Sequence, residues 1–329
     1  MQIFKFRSNR GLKDFGYWGL LVISIGAVYW PLIRYPFVAD DWLYLHFYLQ
    51  HGFAASVKRF VLTYHVAASY CPLPSLLSIV LYNLAGLKPV VFRLATLAMV
   101  FANALLITRI ARHILKDKLL ACAAGILFAT TAKIHIFPVV SFISGFCEAG
   151  VVFFFCWSFI MFVKKRYGLS ALIFLLALLT KASAAVLPFV LCAYAFFGPR
   201  EDRIRPFRQA LYALRFHLLI LLAAAFPVIA SPGWRVDAWG PHILENLKYY
   251  YQRSLFFLFP RPSVAAYIGV AALFIFLSGA LYAFVRARRQ AAHAGEYRYA
   301  WRFWLCWLVA GLIPPSIMST GQLKYYLML

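Results

Sequence analysis

Only 10 of the 329 residues are acidic, and two of these are adjacent in the run Arg34-Tyr35-Pro36-Phe37-Val38-Ala39-Asp40-Asp41-Trp42-Leu43-Tyr44. Two carboxylates at one point can do either of two things. One can cap a helix running from Trp42 to Gln50 and complement its dipole, or one can act as a catalytic acid or base. Arg93 is the first cation of a long apolar run, placed either to reach lipid phosphates at the membrane surface or to hold one specific phosphate. Glu148 lies inside another apolar run, where an uncompensated charge costs several kcal/mol. It therefore pairs with Lys181 or Lys133, or it faces a cavity and a substrate.

The elements that must position these groups follow from composition. Hydrophobic residues make up 64% of the chain and charged residues 13%, values outside the range of soluble globular proteins. A soluble enzyme is excluded. Apolar runs long enough to span about 30 Å of hydrocarbon fall at 17–33, 90–110, 138–163, 217–231, 263–285 and 301–317. Two further runs are ambiguous: 119–132 is short, and 169–197 is too long for one helix, with Thr180-Lys181-Ala182-Ser183 marking a tight hairpin. The net charge of +23 is concentrated in Lys/Arg blocks beside these runs, around residues 5–13, 109–118, 164–166, 200–215 and 286–302. All of these blocks lie on one side if 119–163 and 169–197 each cross twice. The positive-inside rule then gives about nine crossings, an inside N-terminus and an outside C-terminus. Short basic blocks flanking membrane runs also exclude a nucleic-acid partner. The first run lacks a small-residue cleavage site and is expected to remain as a span.

On this reading 1–329 is a single membrane domain with two outer segments, 34–89 and 232–262. The first contains a stretch from Ser75 to Leu87 that is expected to lie flat at the interface. The second is rich in Trp and Tyr, as an interfacial belt would be. It includes Trp234, Asp237, His242, Glu245 and Lys248-Tyr249-Tyr250-Tyr251. The chain closes on Lys324-Tyr325-Tyr326-Leu327-Met328-Leu329 with no polar tail, which reads as a cut. The six cysteines show no metal-ligand spacing and read as small core hydrophobes.

Several landmarks fall in a familiar order: Asp40-Asp41 after the first span, Tyr70-Cys71-Pro72-Leu73, Gly86 with Arg93, Ser144-Gly145 with Glu148, and Leu179-Thr180-Lys181 followed by Pro188. Together they resemble the C-type-fold (GT-C) integral-membrane glycosyltransferases. The likeness is to the branch of protein O-mannosyltransferases and other dolichyl- or polyprenyl-phosphate-sugar-dependent enzymes. The resemblance spans about 30–190 and extends weakly to Pro314-Pro315 and Lys324-Tyr325-Tyr326. It implies an all-α polytopic membrane protein, GT-C-like, with interfacial helices in its first outer loop. It also implies an inverting transfer of a sugar from a polyprenyl-phosphate-linked donor to a glycan, lipid or protein acceptor, at the periplasmic face of a bacterial inner membrane. Asp40 or Asp41 would serve as base, and Arg93, Glu148, Lys181, Lys324, His65 and Tyr70 would bind substrate. No cofactor is read from the sequence. A divalent cation at the Asp pair stays open, since two ligands from one point are too few to define a site.

The sequence departs from that pattern at Cys71, at Lys181-Ala182 and at Phe146 after Ser144-Gly145. The alternatives are a non-catalytic or truncated relative and a transporter or flippase of lipid-linked glycans, for which a repeat or a helix broken at mid-membrane is expected.

Overall fold

The computed structural model describes residues 11–38, 41–62, 71–131, 140, 143–199, 202–204 and 207–229. Over these residues the regular structure is all helical, with no strand. The α-helices are α1 (Gly11–Ile33), α2 (Asp41–Val57), α3 (Pro72–Ala85), α4 (Pro89–Leu115), α5 (Lys118–Thr131), α6 (Gly145–Val163), α7 (Tyr167–Thr180), α8 (Leu187–Phe197) and α9 (Phe207–Ile229). A π-turn at Lys58–Leu62 follows α2, and a 3-10 turn at Ala182–Val186 follows α7. The chain divides into two compact units, Met1–Pro188 with Leu211–Gly233, and Phe189–Ala210 with Trp234–Leu329.

Among the described residues three helices are long and apolar enough to cross a membrane: Gly16–Ile33, Pro89–Leu115 and Gly145–Val163. Their surfaces agree with that environment. Leu20, Val22, Ile23 and Trp30 of α1 are all exposed, an apolar patch of the kind that water-soluble monomers rarely carry. The chain is therefore an all-helical, membrane-associated protein over the described region. The run at 119–132 is indeed short, and the run at 169–197 is broken after Thr180. Helices α5 and α7 have 14 residues each, which at 1.5 Å per residue reach about 21 Å, less than the hydrocarbon thickness. The expected runs at 263–285 and 301–317 lie outside the described residues.

Local chemistry explains the boundaries. Pro72 and Pro89 open α3 and α4, where a missing N–H costs nothing. Gly86 ends α3 at φ 61°, donating its N–H to the Tyr82 carbonyl. Lys116 closes α4 in the left-handed conformation, and Asp117 Oδ1 then accepts the Leu120 N–H at 3.0 Å to start α5. Helices α4 and α5 are thus joined by a minimal turn, as are α6 and α7 through Lys164-Lys165-Arg166. The apolar run at 138–163 is shorter as a helix than expected. A turn at Ile143-Ser144 precedes α6, which begins at Gly145.

Among the described residues, the first unit holds two apolar clusters. One joins α1, α4, α5 and α6 through Leu21, Tyr29, Val100, Ala104, Ala129 and Ala149. Polar groups stitch the same helices: Tyr29 OH donates to the Ala129 carbonyl at 2.8 Å, and Asn103 Nδ2 to the Ala149 carbonyl at 2.8 Å. The other cluster, of Phe37, Leu45, Tyr48, Ile79, Phe92, Ile143 and Phe146, packs α2 and α3 against the starts of α4 and α6. The segment from Ser75 to Leu87 is thus part of a helix beginning at Pro72, with Ile79 fully buried and Tyr48 OH bonded to Ser78 Oγ at 2.9 Å.

Between membrane helices, close packing substitutes for a hydrophobic driving force. Gly125 on α5 marks the tightest approach. A Cβ there would lie 2.0 Å from Thr108 Oγ1, 2.6 Å from Tyr17 OH and 2.9 Å from the Ala104 carbonyl oxygen. Overpacking of this kind costs about 1–3 kcal/mol. Gly125→Ala is accordingly expected to lower the unfolding midpoint in detergent, while Gly26→Ala, where nothing lies within 4 Å, leaves it unchanged. Equal midpoints for the two variants would contradict the packing.

Candidate functional site

The chain leaves α1 at Ile33 and turns through Pro36 before α2 opens on Asp41. The Asp41 N–H donates to the Val38 carbonyl at 3.0 Å, and the Val38 N–H donates to Asp41 Oδ2 at 3.3 Å, so the residue closes the turn that leads into α2. Its other oxygen accepts the backbone N–H of Ile143 at 2.6 Å, from the turn before α6. Arg93 Nη2 lies 3.3 Å from Oδ2 and also donates to the Pro36 carbonyl at 3.1 Å. Asp41 and Arg93 are each only 1% exposed. Burial pushes the Asp41 carboxyl above its ordinary range, while the Ile143 N–H and the Arg93 guanidinium pull it back.

This arrangement corrects the expectation that Arg93 reaches toward lipid phosphates. The guanidinium turns inward, where Asp41 and the Pro36 carbonyl both accept from Nη2 and the Phe37 ring lies 5.7 Å from it. Phe37 is itself held edge-on by Phe92 at 5.4 Å and by Trp42 at 6.0 Å. Asp41 stands in the first turn of α2, where it complements the helix dipole, and its carboxylate is engaged by three donor groups.

A second polar group gathers at the first turn of α6. Glu148 lies in that turn, near the positive end of the helix dipole, and accepts a hydrogen bond from Lys181 Nζ. The expected Glu148–Lys181 pair thus forms. Glu148 sits at the start of its helix, however, and not two to three turns inside, because α6 begins at Gly145. Lys181 interrupts the 169–197 run as an extended residue, φ −163° and ψ 136°, between α7 and the 3-10 turn. The approach of α6 to α7 is set by Gly150, whose absent Cβ leaves room for Thr180 Cγ2. With the side chains of Glu148 and Lys181 47% and 18% exposed, this pair meets solvent, unlike Asp41–Arg93.

Beside it stand two thiols. Cys71, which precedes α3, is buried, and Cys147, in the first turn of α6, is partly exposed. Cys71 and Cys156 are both buried, as small core hydrophobes would be. Cys147 and the charge of Lys181 bring the Cys71 thiol below its ordinary range.

Ile143 and Glu148 flank the same helix start, so both polar groups hang from the N-terminal end of α6. Asp40, His65, Tyr70, Lys133, His135, Lys324 and the segment 232–262 lie outside the described residues. Among the described residues no group of three or more His, Cys, Asp or Glu side chains forms a metal-ligand set.

A third polar cluster was not singled out by sequence reasoning. Ser158 of α6, Ser170 of α7 and His217 of α9 are all buried and share hydrogen bonds, including Ser170 Oγ to His217 Nε2 at 2.9 Å. A Ser–His contact is a nucleophile pattern elsewhere. Here Phe162 and Phe174 pack on the imidazole and no atom of the cluster reaches the surface, so it acts as glue between helices. The lone His in the apolar run after residue 215 was the signal available.

Comparisons with protein-family models, curated proteins and solved structures gave no match.

Removing one member of a buried ion pair leaves an uncompensated charge, typically a loss of about 3–5 kcal/mol, whereas replacing both members is often close to neutral. Arg93→Met alone is expected to destabilise the protein strongly, and Asp41→Asn combined with Arg93→Met to recover much of the loss, as read by denaturant unfolding in detergent. Additive losses would show that the two side chains do not depend on each other.

Proposed function

We propose that this chain is a polyprenyl-phosphate-sugar-dependent glycosyltransferase of a bacterial inner membrane, working at the periplasmic face with the GT-C architecture of about nine crossings and a cytoplasmic N-terminus. The observation that carries the proposal is the anchoring of Asp41. Arg93, Ile143 and Val38 lock that residue just beyond the first span, and Asp40 directly precedes it in the sequence.

On this reading Asp40 is the base and Asp41 the positioning residue. The Asp40 carboxylate takes the proton of an acceptor hydroxyl as its oxygen attacks the anomeric carbon from the face opposite the phosphate. The bond from that carbon to the phosphate oxygen breaks, and the lipid phosphate departs with the electron pair. Cations stabilise the leaving group. Arg93 is engaged by Asp41, which shifts that role toward Lys181, whose partner Glu148 is half exposed and able to exchange for a phosphate oxygen, and toward Lys324. His65 and Tyr70 belong to the same outer segment and would contact substrate.

One observation favours a second reading. A buried pair of opposite charges with every carboxylate oxygen bonded is also what a non-catalytic membrane scaffold would use to fix a loop.

The two readings separate in proteoliposomes supplied with a radiolabelled polyprenyl-phosphate-linked sugar and a soluble glycan acceptor. Transferase chemistry predicts that Asp40→Asn reduces turnover by at least about 100-fold, the scale of a lost general base, while its unfolding midpoint stays at the wild-type value. Lys181→Met is expected to raise the KM for the donor. Undiminished transfer by Asp40→Asn would remove the assigned base.

A further inference from the structure

From 211 to 222, helix α9 presents two unlike faces. Ala213, Leu214 and His217 are buried, with the His217 ring 6.0 Å from Phe162 and 5.6 Å from Phe174 and its Nε2 2.9 Å from Ser170 Oγ. These contacts set this stretch of α9 beside the end of α6 and the start of α7, at the turn Lys164-Lys165-Arg166. That turn is closed by the Arg166 N–H on the Met161 carbonyl at 2.9 Å and the Lys165 N–H on the Phe162 carbonyl at 2.8 Å, with Lys165 left-handed at φ 59°. All three of its cations are exposed. Helices α6, α7 and α9 carry one acidic residue among them, Glu148, and it stands at the opposite end of α6.

The other face of α9 is exposed along Tyr212, Arg215, Phe216, Leu219 and Leu222. The Arg215 guanidinium lies 3.8 Å from the centre of the Tyr212 ring and 4.6 Å from that of Phe216, so two aromatic rings hold it where an apolar strip begins. Stacking uses the flat face of a guanidinium. Its N–H donors lie in the plane and can still meet two oxygens of one phosphate. We propose that Arg215 seats the phosphate of an anionic glycerophospholipid, with Tyr212 and Phe216 as its collar and Leu219 and Leu222 against the acyl chains.

Charge and polarity both select this occupant. A phosphate at one end of a hydrocarbon chain matches a cation at one end of an apolar strip, and the strip from Arg215 to Leu222 follows the chain for about 10 Å. The exposed Lys164-Lys165-Arg166 turn, with no acid of these helices to offset it, favours a headgroup of net negative charge over a zwitterionic one. The seat also lies apart from the groups assigned to transfer. Ser158, which bonds to Ser170 in the cluster beneath it, stands about 20 Å along α6 from Gly145 at 1.5 Å per residue. Asp41 and Glu148 gather at the far end of that helix, so the inference is independent of the reaction proposed above.

The test uses the full chain, delipidated in dodecyl maltoside and titrated with dioleoyl phosphatidylglycerol or with dioleoyl phosphatidylcholine, bound lipid being counted by native mass spectrometry. Wild-type protein is expected to bind phosphatidylglycerol in preference to phosphatidylcholine, and inorganic phosphate not to displace it, a readout that needs no variant. Arg215→Gln is expected to weaken phosphatidylglycerol binding about fivefold, the scale of one cation at an anionic surface, and to leave phosphatidylcholine binding unchanged. Its thermal midpoint in lipid-free detergent is expected to stay at the wild-type value, because the side chain lies on the exposed face. Arg112→Gln, at an exposed cation of α4, is expected to bind both lipids as the wild type does. Equal affinity of the wild type for the two lipids, wild-type phosphatidylglycerol affinity in Arg215→Gln, an equal loss in Arg112→Gln, or displacement by inorganic phosphate or a polyprenyl phosphate would overturn the proposal.

Discussion

A buried charge in a low-dielectric interior survives only with a partner and a full set of hydrogen bonds, and Asp41 meets both conditions with groups drawn from three separate stretches of chain. Arg93 comes from the first turn of α4, the Ile143 N–H from the turn before α6, and Val38 from the loop leaving α1. Because none of these contacts is local to one helix, the pair can form only when α1, α4 and α6 have reached their places. The cluster of Phe37, Phe92, Ile143 and Phe146 surrounds the pair and excludes water from it. Specification and packing are thus coupled: the aromatic shell raises the cost of a misplaced charge, and the charge pair selects the arrangement in which that cost is met.

The same helix start organises the second polar group. Glu148 follows Ile143 at the beginning of α6, and the narrow contact at Gly150 brings Lys181 across from α7. The contrast in burial gives the two ion pairs different work. Asp41–Arg93 is sealed and holds the loop. Glu148–Lys181 meets solvent, where an ion pair contributes only about 0–1 kcal/mol and can be exchanged for a ligand at little cost.

How much of this could be read in the sequence depended on range. Helices α1 and α4 are visible as apolar runs, because length and hydropathy are local properties and the prolines and basic residues beside them mark the ends. The Glu148–Lys181 pair was legible because acids are so scarce that an intramembrane Glu has few partners. The start of α6 was not, since Ile143 and Ser144 form a turn without breaking the apolar character of 138–163. Nor was the Asp41–Arg93 pair, which spans 52 residues and is completed by backbone groups of Pro36, Val38 and Ile143 that carry no side-chain signature.

The central claim is that Asp41 ties the loop after α1 to the start of α6. Hydrogen exchange at the Ile143 amide tests it most directly, measured by mass spectrometry on overlapping peptides across 140–148 in detergent-solubilised protein. In the wild type this amide is buried in a 2.6 Å bond to Asp41 Oδ1 and is expected to exchange slowly. Conversion of Asp41 to Ala removes the acceptor and is expected to speed exchange at Ile143 while leaving the interior of α4 protected. Unchanged protection of Ile143 in that variant would contradict the account.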